Sequence, residues 1–130
     1  ALVAARHGTA TVSGAGASPA DPRVEAIATE LGLERAVITP LPGGLANRTL
    51  RLRDDRHDFV LRLAGDIGGT LRANREYEFA MLSLAAAAGL APGIVLARPA
   101  DGLIVSRHVA GRMPEREDLH DPEFLRRVGA

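Results

Sequence analysis

Phe59-Val60-Leu61-Arg62-Leu63 reads as a β-strand with an arginine set among apolar residues. Side chains alternate across a strand, so Phe59, Leu61 and Leu63 share one face and Val60 and Arg62 the other. A guanidinium flanked by apolar residues needs a carboxylate or an anion on its own face, unless it sits exposed on an edge strand. Moving upstream, Asp54-Asp55-Arg56-His57 has turn composition. Residues 49–53 alternate again, with Leu50 and Leu52 on one side and Arg51 and Arg53 on the other. Residues 36–41, with β-branched Val37, Ile38 and Thr39, form a third extended run. Pro42-Gly43-Gly44-Leu45-Ala46-Asn47 separates it from the second. Connections this short predict an antiparallel meander.

Downstream, residues 64–70 read as a loop and residues 71–88 as a long helix. Tyr77, Ala80, Met81, Leu84, Ala85 and Ala88 make its apolar stripe, Gly89 its cap, and Pro92 lies just beyond. Burial of Met81 and Leu84 is expected to contribute roughly 1.5–3 kcal/mol each. A fourth strand covers residues 94–97, Asp101-Gly102 marks a hairpin turn, and a fifth strand covers residues 103–109. A polar connector (residues 111–119) leads to Asp121-Pro122, which starts a helix carrying Phe124, Leu125 and Val128 on one side. At the other end Asp21-Pro22 starts a short helix. Val24, Ile27, Ala28 and Leu31 fall at helical spacing before Gly32 stops it. The expected fold is α+β: a five-stranded antiparallel sheet with one long packed helix, preceded by a short helix and ending in the start of another. Residues 1–20, rich in Ala, Gly, Ser and Thr, read as a flexible leader. Residues 21–110 form the domain, and residues 111–130 a connector running into an unfinished helix.

Bulk properties narrow the function. The 130 residues suffice for one domain, with 46% hydrophobic and 25% charged residues, so a packed core is expected. Zero formal net charge and 3% aromatic content argue against a nucleic-acid partner. No apolar run approaches membrane-spanning length, and no signal peptide is recognisable, which fits a cytoplasmic setting. Without cysteine there is no disulfide framework, thiolate metal site or cysteine nucleophile. The four histidines, His7, His57, His108 and His120, follow no metal-ligand spacing. All 16 basic residues are arginine, so any phosphate-binding cation must be a guanidinium. The first residue is Ala rather than Met, and the chain ends inside a helical pattern. A piece of a longer protein is expected.

Four features then stand in order along the chain. Gly43 and Gly44 permit a tight turn whose amides can face phosphate oxygens, although Gly-Gly also serves ordinary hairpins. Arg62 supplies a cation on the third strand. The long helix offers a carboxylate, Glu76 or Glu78. The fifth strand runs through Ser106-Arg107-His108-Val109 into an extended exit able to present backbone groups to a base edge. This is the order of parts in the N-terminal lobe of a protein kinase.

In detail the chain resembles the choline/ethanolamine kinase branch of the aminoglycoside-phosphotransferase-like superfamily. The resemblance is carried by Leu41-Pro42-Gly43-Gly44-Leu45-Ala46-Asn47-Arg48, Phe59-Val60-Leu61-Arg62-Leu63-Ala64-Gly65 and Asn74-Arg75-Glu76-Tyr77-Glu78. Gly89-Leu90-Ala91-Pro92 and the stretch from Leu103 through Val109 to Gly111 add to it. It covers roughly residues 36–130. It implies that Gly43, Gly44, Leu45, Ala46 and Asn47 cover the phosphates of ATP. Arg62 replaces the kinase lysine, with a guanidinium that stays charged and can bind phosphate bidentately. The Arg-x-x-Glu spacing from Arg75 favours Glu78 over Glu76 as its partner. Val60 would form part of the adenine roof, and the Arg107 carbonyl and Val109 amide would bond the base, with Ser106 behind them. Ala46 stands where the branch usually has Thr or Ser, which removes a hydroxyl from the turn.

The implied activity is ATP-dependent phosphorylation of a small-molecule alcohol, with Mg²⁺ ligands and the acceptor pocket in a C-terminal lobe. No His-x-Asp-x-x-x-x-Asn-type motif occurs in the 130 residues, so they hold no catalytic residue by this reading and no turnover alone is expected. Two other classes fit the same residues: a non-catalytic nucleotide-binding regulatory module, and an unrelated α+β interaction domain.

Overall fold

The computed structural model describes residues 21–42, 47–65 and 74–129. The leader assigned to residues 1–20, and Gly43, Gly44, Leu45 and Ala46 of the glycine turn, lie outside the described residues. Helix α1 (Pro22–Glu30) starts where Asp21 accepts a hydrogen bond from the Arg23 amide at 3.0 Å. Strands β1 (Val37–Pro40), β2 (Asn47–Arg53) and β3 (Asp58–Ala64) follow, then helix α2 (Arg75–Ala87), β4 (Ile94–Arg98), β5 (Leu103–Arg107) and helix α3 (Pro122–Val128). Single 3₁₀ turns occupy Pro99–Asp101 and Glu117–His120. All pairings are antiparallel, in the order β1-β2-β3-β5-β4. The architecture is α+β with a five-stranded antiparallel sheet, as the alternation predicts.

The core lies on one side of that sheet. Leu50 and Leu52 of β2, Phe59, Leu61 and Leu63 of β3, and Leu103 and Val105 of β5 are all buried, together with Val24, Ile27 and Ala28 of α1. Strand parity explains the selection, because these sheet residues share one face and α1 closes it. Polar ties hold α1 there. Arg98 on β4 donates from Nη2 to both carboxylate oxygens of Glu30, at 2.6 and 2.7 Å. The Glu34 amide, just past the helix, donates to Asp54 in the β2–β3 turn at 2.9 Å.

The expected burial of Met81 and Leu84 is overturned. No residue of α2 is buried; Met81 is 48% and Leu84 66% exposed. Instead Phe79, Leu82, Ser83 and Ala86 form the half-buried stripe. Beyond Glu78 the helix is apolar around most of its circumference, so periodicity could not select the packed face. The long helix therefore flanks the sheet opposite the core, and the short one seals it.

Strand β5 ends at Arg107, two residues short of the expected Val109. Its neighbour explains this: Arg107 pairs with Phe59, the His108 amide still donates to the Asp58 carbonyl at 2.9 Å, and β3 begins at Asp58. Val109 has no strand left to pair with.

Gly102 closes the β4–β5 connection at φ +66°. A Cβ there would stand 2.7 Å from the Ala64 Cβ and 2.8 Å from Nη1 of Arg75. The residue must be glycine on conformational and steric grounds together.

Candidate functional site

The sheet face opposite the core carries the candidate residues. Register sets Arg62 between Thr49 on β2 and Ile104 on β5, and Val60 between Arg51 and Ser106. Arg62 is thus on a central strand, which removes the exposed-edge alternative. Its Nη2 donates to Oε1 of Glu78 at 2.5 Å. Glu78 is held in the first turn of α2, its amide donating to the Asn74 carbonyl at 2.8 Å. Glu76 is exposed and makes no ion pair among the described residues. The side chains of Arg62 and Glu78 remain 31% and 46% exposed, so the guanidinium keeps donors accessible for an anion.

The pair spans an open cleft of about 760 Å³ between α2 and the sheet. Asn47, Arg62 and Glu78 supply polar groups to it; Tyr77, Met81 and Ile104 supply apolar wall. That placement accounts for the exposure of Tyr77 and Met81. They face the cleft instead of the core.

Three of the sequence-predicted residues, Asn47, Arg62 and Glu78, therefore meet at one cleft. Val60 and Ser106 do not line it. They are paired with each other, half-buried, on the same sheet face one row further along. Arg107 is exposed, with its amide bonded to the Gly93 carbonyl at 2.9 Å. Val109 is 65% exposed, and its amide makes no hydrogen bond among the described residues. Past β5 the chain continues as coil and not as strand.

One cluster was missed by sequence reasoning. Asp58 accepts two bonds from Arg51, at 2.8 Å from Nε and 2.7 Å from Nη2. Nδ1 of His108 lies 3.4 Å from the same carboxylate. The Arg51 guanidinium holds the Asp58 carboxyl below the usual carboxylate range, with His108 and Arg53 adding charge. Asp58 in turn pushes the Arg51 guanidinium further up. Parity could have placed Arg51 and Asp58 on the face of Val60; the reading of β3 as starting at Phe59 hid it. Among the described residues no group of three His, Asp or Glu side chains could hold a metal ion. No helix among them is long and apolar enough to cross a membrane.

No protein-family model matches the chain, and no curated protein matches it by sequence. Among solved structures it is similar to an ethanolamine kinase from Plasmodium vivax, with a TM-score of 0.61 at 16% sequence identity. The match covers 74% of this chain and 26% of the kinase chain. The chain thus spans about a quarter of that enzyme's length, and at this identity the likeness concerns the fold alone. The likeness supports a kinase-like fold, and the five-stranded antiparallel sheet with its helices is consistent with the N-terminal lobe of that fold.

Proposed function

We propose that this chain is the nucleotide-binding lobe of a kinase-fold phosphotransferase that takes ATP as donor and a small-molecule alcohol of the choline or ethanolamine class as acceptor. The observation that carries the reading is the Arg62–Glu78 pair. It joins the third strand to the following helix across a cleft, where a kinase fold needs a fixed cation. Glu78 orients the guanidinium. The donors that Glu78 leaves free hold non-bridging phosphate oxygens by charge-assisted bonds. Asn47, entering the cleft from the end of the glycine turn, adds a neutral donor. Gly43, Gly44, Leu45 and Ala46 would cover the phosphates. The Val109 amide, which makes no hydrogen bond among the described residues, would bond the base, next to Val60 and Ser106.

The work of these residues is positioning and charge neutralisation, which carry most of the catalysis in phosphoryl transfer. Mg²⁺, held by groups of a C-terminal lobe, would neutralise charge on the transferring phosphate. The alcohol would be bound mainly by the same lobe. The setting proposed is cytoplasmic.

Equilibrium binding of ATP to the natural protein tests the reading, with Arg62→Ala alongside. Saturable binding weakened about tenfold or more by the substitution is expected, matching the loss of a charge-assisted bond to phosphate of about 1.5–3 kcal/mol. Absence of ATP binding, or equal binding by both forms, would sink it. Phosphate transfer from labelled ATP to choline or ethanolamine then tests the acceptor class.

A further inference from the structure

Arg51, Asp58 and His108 form a charged cluster on the candidate face, beyond Val60 from Arg62. Arg51 stands directly opposite Val60, which stands opposite Ser106, so one transverse row runs Arg51, Val60, Ser106. Both Arg51 donors that face Asp58 are engaged, at 2.7 and 2.8 Å. A bidentate guanidinium–carboxylate pair is coplanar, so the Arg51 plane has a fixed orientation while its side chain stays 30% exposed. Asp58 also reaches the exit of β5. Its carbonyl accepts from the His108 amide at 2.9 Å, and its carboxylate lies 3.4 Å from Nδ1 of the His108 ring, whose side chain is 19% exposed. The next residue is Val109, whose amide makes no hydrogen bond among the described residues. Asp58 therefore fixes a planar cation beside Val60 through its carboxylate and ties the start of the 108–109 segment through its main-chain carbonyl.

We propose that Arg51 is a base-binding residue, stacking its guanidinium plane on the purine of the nucleotide, and that Asp58 positions both Arg51 and the 108–109 segment for it. This rests on the nucleotide-binding reading above and extends it. Guanidinium planes stack on aromatic rings through cation–π attraction and flat contact. Lysine offers the charge without the plane. The carboxylate pairing prevents Arg51 from rotating towards the phosphates. The cluster thus divides the face, with Arg62 for phosphate and Arg51 for base.

The natural protein would be titrated with ATP, adenosine and inorganic tripolyphosphate, as wild type, Arg51→Lys, Arg51→Gln and Arg62→Ala, with a thermal melt of each as a folding control. Both Arg51 variants should bind ATP and adenosine about fivefold more weakly and tripolyphosphate unchanged. Arg62→Ala should weaken ATP and tripolyphosphate and spare adenosine. Full affinity for ATP in the Arg51 variants, rescue by Arg51→Lys, or equal loss of tripolyphosphate would overturn the assignment and leave the phosphate site standing. If Arg62→Ala changes nothing and ATP does not bind, the nucleotide reading falls and this inference with it. Should Arg51→Gln fail to melt cooperatively, Arg51→Lys, which keeps the charge beside Asp58, decides alone.

Discussion

Arg62 and Glu78, sixteen residues apart in sequence, are joined by a 2.5 Å hydrogen bond that ties β3 to α2 across an open cleft. With 31% and 46% of the two side chains exposed, the pair is a solvated one. Pairs of that kind contribute about 0.2–1 kcal/mol to stability, far less than the cost of breaking a buried pair. Arg62→Ala is therefore expected to shift the urea unfolding midpoint only slightly while lowering ATP affinity about tenfold or more. A large stability loss would mean that the arginine serves the fold more than a ligand.

The core contrast makes a second prediction. Ile27 of α1 is 3% exposed, whereas Met81 of α2 is 48% exposed. Truncating a buried Ile to Ala removes transfer energy and leaves a cavity, a cost of about 2–5 kcal/mol. Ile27→Ala should approach that range in chemical denaturation, and Met81→Ala should cost less than about 1 kcal/mol. Reversed magnitudes would place the core beneath the wrong helix.

Gly102→Ala should be disproportionately costly for a methyl group. The position lies at φ +66°, and the new Cβ would meet the Ala64 Cβ at 2.7 Å. Ala64 cannot retreat freely, because its amide donates to the Gly102 carbonyl at 2.8 Å. Left-handed strain alone is about 1–2 kcal/mol, and the contact adds to it. Arg75→Ala in the same chain should restore only part of the loss in a thermal melt, since it clears the guanidinium and not Ala64.

Asp54 should set the acid limit of stability. Its side chain is 5% exposed and accepts from the amides of Glu34, Arg56 and His57 at 2.9, 2.8 and 2.6 Å. Burial opposes its ionisation, but the Glu34 and Arg56 amides and the His57 contacts outweigh that and hold the carboxyl well below the usual range. A carboxylate lowered in the folded state adds stability that is complete above its unfolded pKa of about 4 and fades as pH falls towards the folded value. Melting temperature should therefore drop as pH falls below about 4, with the other lowered carboxyls, Asp21, Asp58 and Asp118, contributing. Asp54→Ala should flatten part of that slope and cost about 1–3 kcal/mol at neutral pH, through the loss of amide hydrogen bonds to a charged acceptor. An unchanged slope would remove Asp54 from this role.

The sequence by itself determined the five strands, their antiparallel pairing, the two proline-started helices and the face on which Arg62 lies. Each follows from local physics: period-2 alternation, short turns, and Asp-Pro capping. Residue parity also sufficed to put Val60 on the face of Arg62. Only the tertiary structure decided which helix closes the core. Residues 79–88 are apolar nearly all round, and a helix without a polar back leaves its packed face to its neighbours. Only the structure chose Glu78 over Glu76 by contact, ended β5 where β3 runs out, and drew Arg51, Asp58 and His108 together. Those outcomes depend on strand register and on the reach of long side chains between elements, which no spacing along the chain encodes.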